Sequence, residues 1–390
     1  MTGAAVGAAV DGGLPPEAWA SALAGLPAMG PARLRAVLAA WHPEEAWARV
    51  AAGSACSVAE MAEACRPDPS GLARLWRGAA RRVNVADLWD RYGRTGVAVA
   101  LPGGPGFPPE LQSDPDPPAL LFCRGRPSAL DGRRVAIVGA RRCSRYGREV
   151  AYELGRDLAQ AGVRVVSGLA LGIDGAAHSG ALSVGGAPPV AVVGSGLDVV
   201  YPAAHGPLWR QVAASGLLLS EAPLGARPEP WRFPARNRII AALAEVVVVV
   251  ESTEKGGSRH TVEAAEGRDR QVMAVPGSVR SPVSAYPNSL LADGCAPVRD
   301  ALDVLVALGL SSAGRLTPAG VEGRPEPGPE ATGVLEAMGW EPATFDDLCA
   351  RTGRGPGQVS VALAGLQSDG WVVDRAGWWE RVGGRDPHIR

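Results

Sequence analysis

Along residues 16 to about 95 apolar side chains recur at helical spacing: Trp19, Leu23 and Leu26, then the runs GPARLRAVLAAW and ARLWRGAARRVNVADLWDRY. Side chains three and four apart share a helix face, so residues 1–95 are expected to form a small helical domain. The stretch from Leu101 to Gly125, LPGGPGFPPELQSDPDPPALLFCRG, is dense in proline and glycine and ends in a short apolar run. It predicts an extended connector that feeds an edge strand.

From Arg133 to about Ala307 the period changes. The apolar runs RVAIVG, VRVVSG, PPVAVVGSG, GLLLSE, EVVVVVES and QVMAVPG have strand length and are bounded by Gly, Ser or Pro, and helical windows such as GREVAYELGRDLAQAG separate several of them. Continuous apolar strands alternating with helices predict βαβ units and a parallel sheet covered on both faces. The expected fold class is therefore α/β: a Rossmann-like core that, with its connector, spans residues 96–307. Residues 308–330 lack periodicity and read as a linker, and residues 331–390 follow the order helix, Thr-capped helix, turn, helix and two short strands, which is that of a winged helix.

Composition narrows the function classes. A chain of 390 residues, 46% of them hydrophobic, can bury a large core, which excludes a disordered charged tail. Lys plus Arg number 39 against 40 Asp plus Glu, so overall charge advertises no polyanionic partner and any such site must arise from local clustering. The only lysine is Lys255, a bias that looks codon-driven, so each arginine needs positional support before it is read as a contact. The six cysteines are scattered without a CxxC pair or a His at zinc spacing, which favours free thiols and no metal. The N-terminus lacks a basic leader region and no window offers about 20 uninterrupted apolar residues, so a cytoplasmic protein without membrane insertion is expected.

In a parallel sheet, ligands gather beyond the carboxyl ends of the strands. The first such loop, Gly139 to Tyr146, turns on one glycine and then carries Arg141, Arg142 and Arg145, where a dinucleotide loop would place further glycines. These arginines suit discrete phosphates along a polymer backbone. In the second loop, SGLALGIDGAAH, Gly168 and Gly172 bracket a turn after Ser167, and Asp174 either caps the following helix or orients an arginine. His178, four residues on, reads as a structural histidine more readily than as half of a catalytic dyad. The third loop supplies Tyr201, either a base-stacking ring or part of the core. In PWRFPARNRIIAAL, Arg232, Arg236 and Arg238 interleave with Phe233 and Asn237, a mixture suited to single-stranded nucleic acid because phosphates need charge while unstacked bases need stacking and hydrogen bonds. Lys255 and Ser258, around Gly256 and Gly257, form a further candidate phosphate cradle, softened by the acidic Glu251 and Glu254. The turn in LPAMGPARLRAVL resembles a helix-hairpin-helix, which meets phosphate through a glycine N–H, although helix packing alone also accounts for it.

The ordered motifs VAIVGARRCSRYG, VVSGLALGIDGAAHSGAL, AVVGSGLDVVYPAAH, LLSEAPLG, FPARNRIIAAL, VVVVES, GGSRHT and AVPG, with the late Asn288-Ser-Leu-Leu, resemble the bacterial DNA-processing protein A family, also called the Smf family. The likeness covers about 200 residues, and the helical (helix-hairpin-helix or SAM-like) and winged-helix flanks resemble common family additions. It implies a homodimeric, non-catalytic single-stranded DNA-binding protein that protects incoming strands and loads the RecA recombinase during natural transformation or homologous recombination, without a cofactor. It also implies that Arg141, Ser167, Gly168, Gly172, Asp174, Arg236, Asn237 and Arg238 line one positive pocket. Leu171 stands where many members carry arginine, and Ala203, Ala204 and His205 stand where many carry basic or amide residues. Arg142 and Arg145 are then the compensating candidates.

Two other classes compete. A nucleoside-monophosphate-cleaving, phosphoribohydrolase-like enzyme would need a PGGxGTxxE signature, and LPGGPGFPPE and AVPGSVRSP lack its glycines, threonine or helix context. A winged-helix regulator that senses a small nucleotide is the other, but the clustered arginines suit a polymer better.

Overall fold

The computed structural model describes residues 13–310, 325–375 and 377–382. Most of the expected linker and the extreme N-terminus fall outside these residues. The chain divides into two compact units, Met1–Gly314 and Arg315–Arg390.

The first unit begins with helices α1 (Pro16–Ala24), α2 (Pro31–Ala40), α3 (Pro43–Ala52), α4 (Pro69–Ala80) and α5 (Val85–Thr95). The first four open on proline, whose missing N–H costs nothing at a helix start. The core of these helices is continuous with that of the sheet. Leu23, Met61 and Trp76 belong to an apolar cluster that continues into the sheet through Phe122 and Leu218. Tyr92 stacks on Phe122 with ring centroids 5.4 Å apart and planes 9° from parallel. The expected boundary near residue 95 thus separates two kinds of secondary structure that share one interior.

The sheet comprises β1 (Ala98–Ala100), β2 (Leu121–Gly125), β3 (Arg134–Val138), β4 (Arg164–Ser167), β5 (Val190–Val192), β6 (Leu217–Ser220), β7 (Val246–Val249), β8 (Gln271–Ala274) and β9 (Ala296–Pro297). Their order is β1-β2-β6-β5-β4-β3-β7-β8-β9, parallel from β6 to β9 and antiparallel at the β1–β2–β6 edge. The short helix α6 (Pro109–Gln112) lies within the connector. Crossovers are made by α7 (Arg145–Gln160), α8 (Ile173–Ser183), α9 (Gly206–Ser215), α10 (Arg232–Leu243), α11 (Arg259–Glu266) and α12 (Ala285–Ala292), and α13 (Ala301–Ala307) follows β9. The chain steps from β3 to β6 in one direction and returns to the other side of β3 at β7, which makes the β3–β7 border the topological switch point. This is the expected Rossmann-like core. Its strands are buried on both faces, which is why they read as continuous apolar runs.

The second unit contains α14 (Pro329–Met338), α15 (Phe345–Thr352), α16 (Pro356–Ser368) and a three-stranded sheet of β10 (Ala343–Thr344), β12 (Trp378–Arg381) and β11 (Val372–Arg375), in that order. Thr344 caps α15 in a capping box with Asp347, as its sequence position predicts. Val334, Leu348, Val359 and Leu363 give this winged helix its own core.

Candidate nucleic-acid interface

The loop after β3 is locked to the segments after β7 and β4 by close backbone approaches. Ala140 N–H donates to the carbonyl of Glu251 at 2.6 Å, and a Cβ on Gly139 would crowd that same oxygen at 2.6 Å. Gly172, at φ 79°, passes so close to the carbonyls of Ala140 and Arg141 that a side chain would overlap them. These glycines are therefore structural requirements that aim Arg141 outward.

Ser167 is buried, and its hydroxyl donates to the carbonyl of Ile137 at 2.6 Å, tying β4 to β3. The buried Asp174 carboxylate accepts the N–H of Gly168 at 3.1 Å, so its role is to hold the turn. Burial raises the pKa of Asp174, although Arg236, the N–H groups of Ala170 and Gly168, and Arg141 all favour its charged form. Arg236 enters from α10, donates to the carbonyl of Val192 and packs so tightly on Gly168 that a Cβ there would overlap its guanidinium. Burial pushes the pKa of Arg236 down to about 10 despite Asp174, so it remains a cation at neutral pH. His178 lies wholly buried behind this turn, and its burial pushes its pKa down to about 3, which keeps it neutral. His205, one of the residues that depart from the family pattern, hydrogen-bonds the Leu169 carbonyl at 3.0 Å and packs against Gly175, so it supports the loop from behind.

Arg141, Gly168, Leu171, Tyr201, Phe233 and Arg236 converge on one cleft beyond the ends of β3, β4 and β5, with Val193 to Ser195 as part of its lining. The Arg141 guanidinium lies 4.6 Å from the centroid of the Phe233 ring, and Tyr201 approaches Phe233 with centroids 5.5 Å apart and planes 35° apart. A cation, two rings and a buried second cation therefore line one cavity, although they come from two separate loops and the start of α10.

Other candidates lie elsewhere. Arg238 pairs with Glu221 and Asp116, both at 2.7 Å, in a network that also includes Arg35. Only 11% of its side chain is exposed, so its charge is engaged inside the fold. Arg145 pairs with Glu149 at 2.7 Å one turn along α7, whereas Arg142 is exposed. Arg232 lies over Trp231 at 4.5 Å and contacts Glu229 at 3.4 Å. Asn237 donates to the carbonyl of Gly257 at 3.3 Å, joining α10 to the loop that exposes Lys255. Ser258 is buried, and its hydroxyl donates to that of Ser252 at 2.6 Å, an internal bond that turns it away from a phosphate cradle.

Glu251 takes a part that local reading did not find. Its carboxylate accepts the backbone N–H of Ser144 at 2.7 Å and the Ser144 hydroxyl at 2.6 Å, while Ser144 caps α7 by accepting Gly147 N–H at 3.1 Å. The amino end of α7, where a mononucleotide fold seats a phosphate, thus holds a carboxylate from the protein itself. The signal was a single acid directly after an all-valine strand, at the switch point.

Residues 98–309 match the family model of DNA recombination-mediator protein A, and residues 321–377 match that of the DprA winged helix domain. The putative DNA processing protein DprA of Mycobacterium tuberculosis strain H37Rv is 40% identical over 271 residues, which covers 67% of this chain and 68% of the relative. The X-ray structure of DNA processing protein A from Streptococcus pneumoniae aligns with a TM-score of 0.63 at 31% identity, covering 75% of this chain and 98% of that one. DNA processing protein A from Helicobacter pylori, whose structure concerns its single-stranded DNA binding mode, aligns with a TM-score of 0.50 at 29% identity over 54% of this chain and 95% of its own. With a family match across more than half of its length and an architecture that agrees, the chain belongs to the DNA recombination-mediator protein A family.

Proposed function

We propose that the protein binds single-stranded DNA in the cleft of Arg141, Tyr201, Phe233 and Arg236, without making or breaking a bond, and that it acts as a homodimer delivering the strand to a RecA-type recombinase. The observation that carries this reading is the Arg141 guanidinium stacked at 4.6 Å on Phe233 beside Tyr201. A cation over a ring serves a phosphate and its neighbouring base together, and ring faces accept any base, so binding is sequence-tolerant and strongly salt dependent. The single-stranded DNA binding of the Helicobacter pylori relative supports the same reading. So does the Glu251 carboxylate at the start of α7, which disfavours a small phosphate ligand there while leaving the arginine cleft open to a polymer. The non-catalytic part of the proposal is supported by the roles of Asp174 and His178: one holds a turn and the other is buried and neutral. Two clefts in a dimer would raise avidity for a long strand above that of one cleft. Among the described residues no helix is long and apolar enough to cross a membrane, and a cytoplasmic location is part of the proposal.

The test is fluorescence anisotropy of a labelled homopolymeric single strand at several salt concentrations, beside a duplex control, with Arg141→Ala and Phe233→Ala variants. Salt-sensitive, single-strand-preferring binding that weakens in both variants is expected; binding that both variants leave unchanged would overturn the assignment of the cleft. Recombinase delivery is tested separately, by the rate of RecA filament formation on a strand precoated with single-strand-binding protein, and a rate the protein does not raise would remove that part.

A further inference from the structure

Three neighbouring hollows along the carboxyl end of the sheet share walls. The cleft shares Val193, Gly194 and Arg236 with a second hollow, which in turn shares Met29, Pro223, Trp231 and Arg232 with a wider groove. That groove runs between the α1–α2 turn and the segment that follows β6, and it absorbs the hairpin motif that the cleft leaves without a role.

The groove is built rather than left over. Ala28, in the turn, holds φ at 59°, and Arg33 secures the turn by donating to the carbonyls of Ala28 and Ala64, each at 2.9 Å, and of Arg66 at 3.2 Å. These bonds also fix a guanidinium in the wall. Gly30 caps α2 without a side chain, and a Cβ there would meet nothing within 4 Å, so space beside it is open. Facing the turn stands Trp231, 45% exposed although it is a large aromatic. Its indole N–H donates to Glu229 at 2.6 Å, which fixes the ring edge, and the Arg232 guanidinium rests over the ring. The run Trp231-Arg232-Phe233 therefore places one cation between two aromatics, with Phe233 already in the cleft.

We propose that this groove continues the single-strand track, with Trp231 as a second base-stacking platform and the α1–α2 turn as its outer wall. The inference rests on the single-strand reading of the cleft. A base that stacks on Trp231 displaces the Arg232 guanidinium, which then meets the phosphate between the two stacked bases. Glu229 makes this end unfavourable for phosphate and favourable for a base edge, whose N–H groups, the imide N–H of thymine included, donate to a carboxylate. The occupant is thus a base from the same strand that fills the cleft.

The experiment is anisotropy on full-length protein with labelled oligothymidylates of graded length, comparing the parent with Trp231→Ala, Trp231→Phe and Gly30→Glu, and with Arg141→Ala as the control for the cleft. Strands too short to leave the cleft should bind Trp231→Ala as they bind the parent. Longer strands should bind it about tenfold more weakly, a typical loss for one base–aromatic stack, and Trp231→Phe should recover most of the difference. Gly30→Glu, which the backbone accepts at φ −77°, should also weaken only the longer strands, by placing a carboxylate in the groove. Parent affinity at every length in Trp231→Ala and Gly30→Glu, with binding still lost in Arg141→Ala, would end the track at the cleft and leave the proposed function standing. Binding that Arg141→Ala also leaves unchanged would instead overturn the single-strand reading of the cleft, and this inference with it.

Discussion

The carboxylate of Glu251 holds both the backbone N–H and the hydroxyl of Ser144, at 2.7 and 2.6 Å, across a separation of 107 residues. The bond pair joins the ends of β3 and β7 at the switch point and sets the start of α7. Gly147 completes it, because a side chain there would overlap the Glu251 carboxylate. Hydrogen bonds to a buried charged group are worth about 1.5–3 kcal/mol each, so this link is a main constraint on where Arg141 points.

Replacing Glu251 by alanine should therefore destabilise the protein by about 2–4 kcal/mol, since a half-buried N–H and hydroxyl lose their acceptor. Urea unfolding measures this loss. At equal folded fraction, single-strand affinity should also fall, because the Arg141 loop loses its anchor; unchanged affinity would show that the loop keeps its shape without Glu251.

Arg141 and Arg238 should separate cleanly. Arg141→Ala should lower single-strand affinity and reduce the slope of log K against log salt by about 0.7, the value for one phosphate contact on a single strand. Its effect on unfolding should be small, since the side chain is exposed.

Arg238→Ala should instead destabilise by roughly 3 kcal/mol and leave the salt slope unchanged. Burial already pushes the pKa of Glu221 upward and Arg238 pulls it down, so the variant strands a buried carboxylate. A raised carboxylate pKa means that the folded state gains protons first as pH falls. The stability deficit relative to the parent should accordingly shrink between pH 7 and pH 5, which paired urea melts would detect.

His178 sets a pH dependence of the opposite sign. Its pKa is about 3 in the fold against an ordinary value near 6.5, so below about pH 6.5 the unfolded chain takes up a proton that the folded chain refuses. Its contribution is complete above that pH and is lost as pH falls toward 3, by up to about 1.4 kcal/mol per pH unit. Between pH 7 and 5.5, His178→Phe should lose less stability than the parent; equal losses would show that the buried histidine is not the group responsible.

Helix α16 of the winged helix, Pro356–Ser368, offers no cation to a duplex: it contains no lysine or arginine, and Val361 on it is exposed. If α16 is the element that would meet a duplex, removing residues 325–390 should change neither single-strand nor duplex affinity by more than about twofold, since phosphate contacts need cations and the exposed Arg351 and Arg375 lie outside that helix. A larger drop in duplex affinity would give this unit a DNA-binding role.

What was legible in the sequence is what local chemistry dictates. Strand-length valine runs, helical spacing and glycine at strand ends each reflect interactions among near neighbours, so the alternation that builds the parallel core, the Thr344 cap and the crevice loops could be read in order. Gly168 and Gly172 were recognisable as a turn for the same reason, whereas Asp174, expected to cap α8 or orient an arginine, accepts the Gly168 N–H and holds that turn. The fate of each charge was not legible, because it depends on a partner distant in the chain. Arg236 and Arg238 lie two residues apart on α10, yet one enters the cleft beneath Gly168 and the other turns to Glu221 and Asp116. Glu251 looked like a repulsive neighbour of a phosphate loop until the fold brought Ser144 to it. Trp231 was an aromatic among several until the α1–α2 turn was placed opposite it. Secondary structure follows from spacing along the chain, whereas the direction and pairing of a side chain are decided only when the strand order brings separate loops together.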